Sequence, residues 1–243
     1  MQDNPIIVAL DCDAEEAMAL AASLQGEVLW VKVGMTLFYA EGPSIVARLR
    51  DLDFQVFVDL KLHDIPHQVA GAAAQLARLG VGMITVHASG GSAMMRAAVE
   101  SSRRAAADAG LPAPSVLAVT VLTSVDDAGL EDVGICRTAA DQVMLLARLA
   151  VDAGVDGVVC SPCEAARMRE LLGDQALVVT PGVRPEGSDA GDQARVATPS
   201  AALAAGASHL VIGRPITSAP SPAESVARIV AEIARYRAHG GAA

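Results

Sequence analysis

The sequence predicts an α/β protein of (β/α)8 architecture, the TIM barrel, as a single domain over residues 1–243. Three observations lead there. Eight short apolar runs each precede a stretch of helical character. The runs are nearly continuous in Val, Ile and Leu, as in parallel strands covered on both faces. The length of 243 residues also matches the ~250 that eight β/α units occupy. No Pro/Ser-rich linker or shift in composition divides the chain. A doubly wound sheet is the alternative, but it normally has fewer strands and a Gly-x-Gly-x-x-Gly turn after the first. Here Asp11-Cys12-Asp13 occupies that place.

The first strand, residues 6–10, stops abruptly at Asp11. Asp13 can cap a helix over 14–24, with Glu15 and Glu16 suited to its first turn. Residues 28–33 form the second strand, and Pro43 opens a helix to residue 50. The third strand spans 55–59. Its helix, 66–79, begins at a proline and is closed by Gly80. The fourth strand, 83–87, leads through Ala88-Ser89-Gly90-Gly91 into a helix over 92–109. Strand five covers 116–122, and a polar connection precedes a helix over 139–153. Strand six, 157–160, is followed by a helix over 162–172, and strand seven covers 176–180. A long loop, 181–198, leads to a short helix at 199–205, strand eight at 209–212 and a closing helix from Ser221.

Hydrophobic residues make up 52% of the chain and aromatics only 2%, so an aliphatic core is available. A net charge of −10 argues against nucleic acid and anionic membrane as partners, and it means an anionic ligand needs a local cationic site. There is no run of about eighteen apolar residues, and Met1-Gln2-Asp3-Asn4 lacks the pattern of a secretory signal. The expected compartment is the cytoplasm.

Chemistry concentrates in Val58-Asp59-Leu60-Lys61-Leu62-His63-Asp64-Ile65-Pro66. Strand residues two apart face the same way, so Asp59 and Lys61 project their charges together. Pro66 keeps Ile65 extended at a corner before the helix. The whole chain has two lysines, Lys32 and Lys61, against sixteen arginines. Solubility is thus left to Arg. Both lysines sit in apolar strand-like runs, and Lys, unlike Arg, can deliver a proton at accessible pH. An ordinary strand-end ion pair is the bland reading. Three charges within six residues are costly to bury without a use for them.

In a (β/α)8 barrel the C-terminal strand ends form the active face. Asp11, Lys32, Asp59, Lys61, His87, Thr123, Arg184 and Arg214 all fall at or just past those ends. Gly213 after strand eight would let backbone N–H groups approach an anion, with Arg214 as a planar donor fork, at the usual phosphate position of these barrels. The loop 181–198 is long and Gly-rich, as lids are, and Arg184 and Gln193 could carry phosphate contacts that close it. His63 and His67 are separated by Pro66, which breaks the helix a metal pair would need, so no metal is expected. His87 reads either as a site residue or as a rim histidine. Cys160-Ser161-Pro162-Cys163 lacks a second pair or a His partner at zinc spacing and reads as reduced thiols. Met94-Met95 reads as helix packing.

Together these residues carry a resemblance. Asp59-x-Lys61-x-x-Asp64-Ile65-Pro66 resembles the signature of the orotidine 5′-phosphate decarboxylase family. Val8-Ala9-Leu10-Asp11, Val31-Lys32-Val33-Gly34, Val86-His87-Ala88-Ser89-Gly90-Gly91 and Thr120-Val121-Leu122-Thr123-Ser124 agree with it. So do Pro181-Gly182-Val183-Arg184-Pro185 with Gly191-Asp192-Gln193, and Ile212-Gly213-Arg214-Pro215. The likeness runs in order from about residue 5 to 235 and is greatest to the shorter bacterial form.

The resemblance implies cofactor-free decarboxylation of orotidine 5′-monophosphate to UMP, the last step of pyrimidine nucleotide synthesis. Lys61 would protonate C6 of the pyrimidine within an alternating network of Lys32, Asp59, Lys61 and Asp64. Asp64 and Ile65 would come from the partner subunit of a homodimer. Asp11 and Lys32 would bind ribose hydroxyls, and Thr123 would lie by the ribose or base. Arg184, Gln193, Gly213 and Arg214 would hold the phosphate. Two alternatives remain at this level: a Mg2+-dependent sugar-phosphate decarboxylase or aldolase of the same superfamily, and a non-catalytic binder of phosphate ligands.

Overall fold

A computed structural model describes residues 4–185 and 197–238. Strand and helix alternate in the order β1 (Ile6–Leu10), α1 (Ala14–Leu24), β2 (Trp30–Gly34), α2 (Met35–Glu41), α3 (Ser44–Arg50), β3 (Gln55–Leu62) and α4 (Pro66–Arg78). Then come β4 (Met83–His87), α5 (Ser92–Asp108), β5 (Ser115–Val119), α6 (Asp127–Asp132), α7 (Ala139–Asp152), β6 (Gly157–Val159) and α8 (Ala165–Leu172). The chain ends with β7 (Leu177–Thr180), α9 (Pro199–Ala204), β8 (His209–Ile212), α10 (Arg214–Thr217) and α11 (Pro222–Ala238). Each strand pairs in parallel with the next, and β8 closes on β1, so the expected (β/α)8 barrel is the fold. No helix of the described residues is long and apolar enough to cross a membrane.

Local signals place the elements. The Asp13 carboxylate accepts the Glu16 N–H at 2.9 Å and starts α1. Ile65 is extended, with φ −58° and ψ 152°, and α4 begins at Pro66 as the proline requires. Gly80 ends that segment with φ +70°. Met94 and Met95 are fully buried in the packing of α5.

Alternation along the strands creates two apolar layers. Ile6, Val8 and Leu10 pack outward against the helices. Ile7, Ala9, Phe57, Met83, Leu117, Val179 and Val211 fill the barrel interior, with Trp30, Val159 and Leu177 beside them. The interior is therefore a packed plug, and polar side chains begin above it.

Several boundaries differ from the expected ones. β2 starts at Trp30 and runs through Gly34. β3 continues past Asp59 to Leu62. β5 stops at Val119. α2 was not foreseen: Leu37 is its one buried residue, so it shows little apolar periodicity. α6 lies in the polar connection, where the Asp126 carboxylate accepts the Gly129 N–H at 2.9 Å.

At the start of the strands, Trp30 and His209 meet edge to face with ring centroids 6.0 Å apart. Burial lowers the His209 pKa below the ordinary 6.5. The fold thus favours the neutral ring, and on acidification the unfolded chain takes up the proton first. The stabilisation is complete above pH 6.5 and is lost as pH falls toward the lowered folded value. The urea midpoint should drop between about pH 7.5 and 5.5, and His209→Gln should show a smaller drop over the same interval.

Candidate active site

Above the plug, the inward phase of β1, β2 and β3 turns polar. Ala9 is followed two residues on by Asp11, Trp30 by Lys32 and Phe57 by Asp59. These side chains open into a cavity of about 580 Å³ whose lining includes Asp11, Lys32, Asp59, Lys61, Thr123, Arg184, Gly213 and Arg214. Phe57, Val119, Val159 and Val211 contribute its apolar lining.

Four charges form one row. Lys32 Nζ lies 2.8 Å from Asp11 Oδ1 and 3.8 Å from Asp59 Oδ2. Lys61 Nζ donates to the same Asp59 Oδ2 at 2.9 Å. The side chains of Lys32, Asp59 and Lys61 are 9%, 13% and 26% exposed, whereas Asp11 is 62% exposed. The buried part of the row therefore holds two ammonium groups around one carboxylate. Such a row presents positive charge, and a transferable proton, to whatever fills the cavity.

The Lys61 backbone is unusual. It adopts φ +51°, in the left-handed region that non-glycine residues seldom enter. The sheet register accounts for it. Val58 pairs with Ile84 and Leu62 with Val86, so β3 bulges across residues 59–61 opposite Thr85 alone. Thr85 is fully buried; its hydroxyl accepts the Lys61 N–H at 2.9 Å and donates to Asp59 Oδ1 at 2.9 Å.

Gly34 leaves the room in which the Asp11 end of the row sits. A Cβ there would stand 2.8 Å from Asp11 Oδ1 and 3.2 Å from Lys32 Nζ. Cys12 also lines the cavity, and burial, followed by Glu16, Asp13 and Asp11, pushes its thiol up to about 11, so it stays protonated at neutral pH. His87 stacks at a tilt on His63 with centroids 5.3 Å apart. Burial, then His63 and Lys61, lowers its pKa despite the opposing pull of Asp59, so the ring favours its neutral form. Among the described residues no three His, Cys, Asp or Glu side chains converge as metal ligands.

The family model for the orotidine 5′-phosphate decarboxylase / HUMPS family matches residues 4–229. The chain belongs to that family. An orotidine 5′-phosphate decarboxylase of Paramagnetospirillum magneticum is 51% identical over 231 residues, covering 95% of this chain and 98% of the relative. Its counterpart in Moorella thermoacetica is 52% identical over 232 residues, 95% of this chain and 92% of the relative. The crystal structure of orotidine 5′-phosphate decarboxylase from Lactobacillus acidophilus superposes with a TM-score of 0.85 at 40% identity, covering 95% of this chain and 99% of that one.

Of the residues singled out by the likeness to the decarboxylase family, Asp11, Lys32, Asp59, Lys61, Thr123, Arg184, Gly213 and Arg214 share the one cavity. Asp64 and Ile65 do not line it; both are exposed, and Asp64 Oδ1 accepts the Ile65 N–H at 2.6 Å. Gln193 lies outside the described residues. The neck of its loop is a bridge of Val183 with Ala197, in which the Arg184 N–H donates to the Ala197 carbonyl at 2.9 Å. Cys160 is buried, which raises its pKa, and Cys163 is exposed; both are free. Thr85 and Gly34 are structural parts of the site that the motif did not assign a task.

With two lysines in the chain, side-chain nitrogen NMR gives two Nζ signals. Gly34→Ala should displace Asp11, whose exposed end can swing away, and so move the Lys32 signal while leaving Lys61 nearly in place. The stability change should stay within about 1 kcal/mol, read from urea unfolding.

Proposed function

We propose how the family's reaction, decarboxylation of orotidine 5′-monophosphate to UMP and CO2 in pyrimidine nucleotide biosynthesis, runs at this site. The observation that carries the reading is the Asp11–Lys32–Asp59–Lys61 row at the mouth of the barrel. Residues 1–243 serve as one catalytic barrel domain. Arg184, Gln193, Gly213 and Arg214 bind the phosphate, Asp11 and Lys32 the ribose hydroxyls, and Thr123 sits by the ribose or base. The substrate carboxylate lies near Asp59, a like-charge contact that ends as CO2 leaves.

The C6–carboxylate bond breaks with its electron pair left on C6. That carbanion lies in the ring plane, where no adjacent carbonyl delocalises it. The Lys61 ammonium stabilises the developing charge and then gives its proton to C6, and the neutral amine recovers a proton from water. Phosphate contacts far from C6 help by fixing the substrate's alignment. The step uses no metal or organic cofactor.

The active unit is a homodimer acting in the cytoplasm. Asp64 and Ile65 reach the partner's cavity and complete the alternating charges there. Two facts support this: Asp64 stands outside its own chain's cavity, and Ile65 presents an apolar side chain at 63% exposure. The free cysteines and the charge of −10 fit a reducing compartment and a small-molecule substrate rather than nucleic acid.

Ultraviolet absorbance of orotidine 5′-monophosphate with the purified protein in EDTA should decay to that of UMP. Turnover of a keto-sugar phosphate only after Mg2+ is added would move the chain to the sugar-phosphate branch. Lys61→Ala should fold normally and lose at least on the order of 10³-fold in kcat. Near-wild-type turnover in that variant would remove Lys61 from its role. For the dimer, Lys61→Ala and Asp64→Ala chains should each be inactive alone. Refolded together, they should recover roughly one quarter of wild-type activity, because each mixed dimer rebuilds one intact site. No recovery would place Asp64 outside the partner's site.

A further inference from the structure

We infer that Thr85 is a positioning residue for the reaction, setting both the carboxylate orientation of Asp59 and the backbone from which Lys61 reaches C6. The inference rests on the reaction assigned above. Thr85 has no exposed surface, and its hydroxyl proton has one compatible destination. The oxygen accepts the Lys61 N–H, so the O–H is the donor to Asp59 Oδ1. This divides the labour of the carboxylate. Oδ1 is held by Thr85, while Oδ2 serves Lys61 Nζ at 2.9 Å and Lys32 Nζ at 3.8 Å. A carboxylate free to rotate would share its two oxygens differently between the ammonium groups.

The same hydroxyl supports the bulge. Across 59–61 there is no regular pairing with β4, and the Lys61 N–H goes to a side chain instead of a ladder carbonyl. The bond holds Lys61 at φ +51°, a costly conformation for a residue with a side chain, which persists only when its surroundings fix it. A β-branched residue suits the task. In a strand its χ1 is stiff, so the hydroxyl is held in place by the packing of its own methyl group. Thr85 does not line the cavity and is not placed to touch substrate. It acts through Asp59 and Lys61.

The test compares Thr85→Val, which keeps the shape and removes both bonds, with Thr85→Ser, which keeps the hydroxyl. The expected result for Thr85→Val is a kcat lower by on the order of 10²-fold, with KM within about threefold, since a misplacement of about 1 Å has that effect on rate. UMP affinity should be unchanged. Thr85→Ser should return to within about fivefold of wild type. A wild-type kcat in Thr85→Val, or equal losses in the Val and Ser variants, would overturn the inference. So would a fall in UMP binding matching the fall in kcat. If Thr85→Val does not fold, Thr85→Ala is judged by the same criteria. If the wild-type protein leaves orotidine 5′-monophosphate untouched, the assigned reaction fails while the contact remains open to measurement. The Lys61 Nζ resonance should then still shift in the Val variant and return in the Ser variant, and an unmoved resonance would overturn the positioning role.

Discussion

The Asp59 carboxylate is the constraint around which the site is built. Lys32 is almost wholly withdrawn from water and Lys61 largely so; Lys61 Nζ donates to one oxygen of that carboxylate, and Lys32 Nζ lies 3.8 Å from the same oxygen. Removing it would leave two desolvated cations facing each other, a far costlier state than an exposed pair broken in solvent. Asp11, on the rim, balances the second positive charge. The row is neutral overall but uneven in depth, so the cations dominate where water is scarce. A carbanion formed beside them meets an environment already arranged for it, with little reorganisation left to occur.

The barrel makes this arrangement by continuing a simple rule one step further. Along β1, β2 and β3 the inward residues are apolar through the plug, and the next inward residue at or just past the strand end is charged. Strand regularity and site geometry then come into conflict on β3, where an undisturbed pleat would carry the chain past Asp59 with its N–H groups given alternately to β2 and β4. The bulge resolves the conflict at the expense of sheet regularity, and a buried threonine on the neighbouring strand satisfies the backbone group thus released.

Much of this was legible in the sequence, for identifiable reasons. Lys32 and Lys61 stand out because the chain otherwise uses Arg and because each interrupts an apolar run. Gly213 and Arg214 follow a strand end that periodicity locates well. Thr85 carries no such signal. Threonine is favoured in strands for its shape alone, and its hydroxyl acquires a task only once β3 is known to bulge. Gly34 is equally silent, since the need for a missing Cβ arises from Asp11, a residue distant in sequence that arrives across the β1–β2 pairing. The continuation of β3 beyond Asp59 was hidden by the charges that make it useful, because Asp and Lys are poor strand formers. α2 has no such sequence signal, because it is a mostly exposed helix with one buried residue.

The scarcity of lysine has a practical side. With surface cations supplied by arginine, the side-chain primary amines of the chain both lie in the cavity. An acylating reagent that spares guanidinium groups therefore finds, apart from the chain's α-amine, targets only where a ligand would sit. Acylation beyond the α-amine, at most two groups per chain, reports an open cavity, and protection by a bound molecule reports occupancy without any turnover. The same economy directs amine-reactive supports to the α-amine, and the exposed Cys136 and Cys163 offer thiol coupling as a second route away from the cavity.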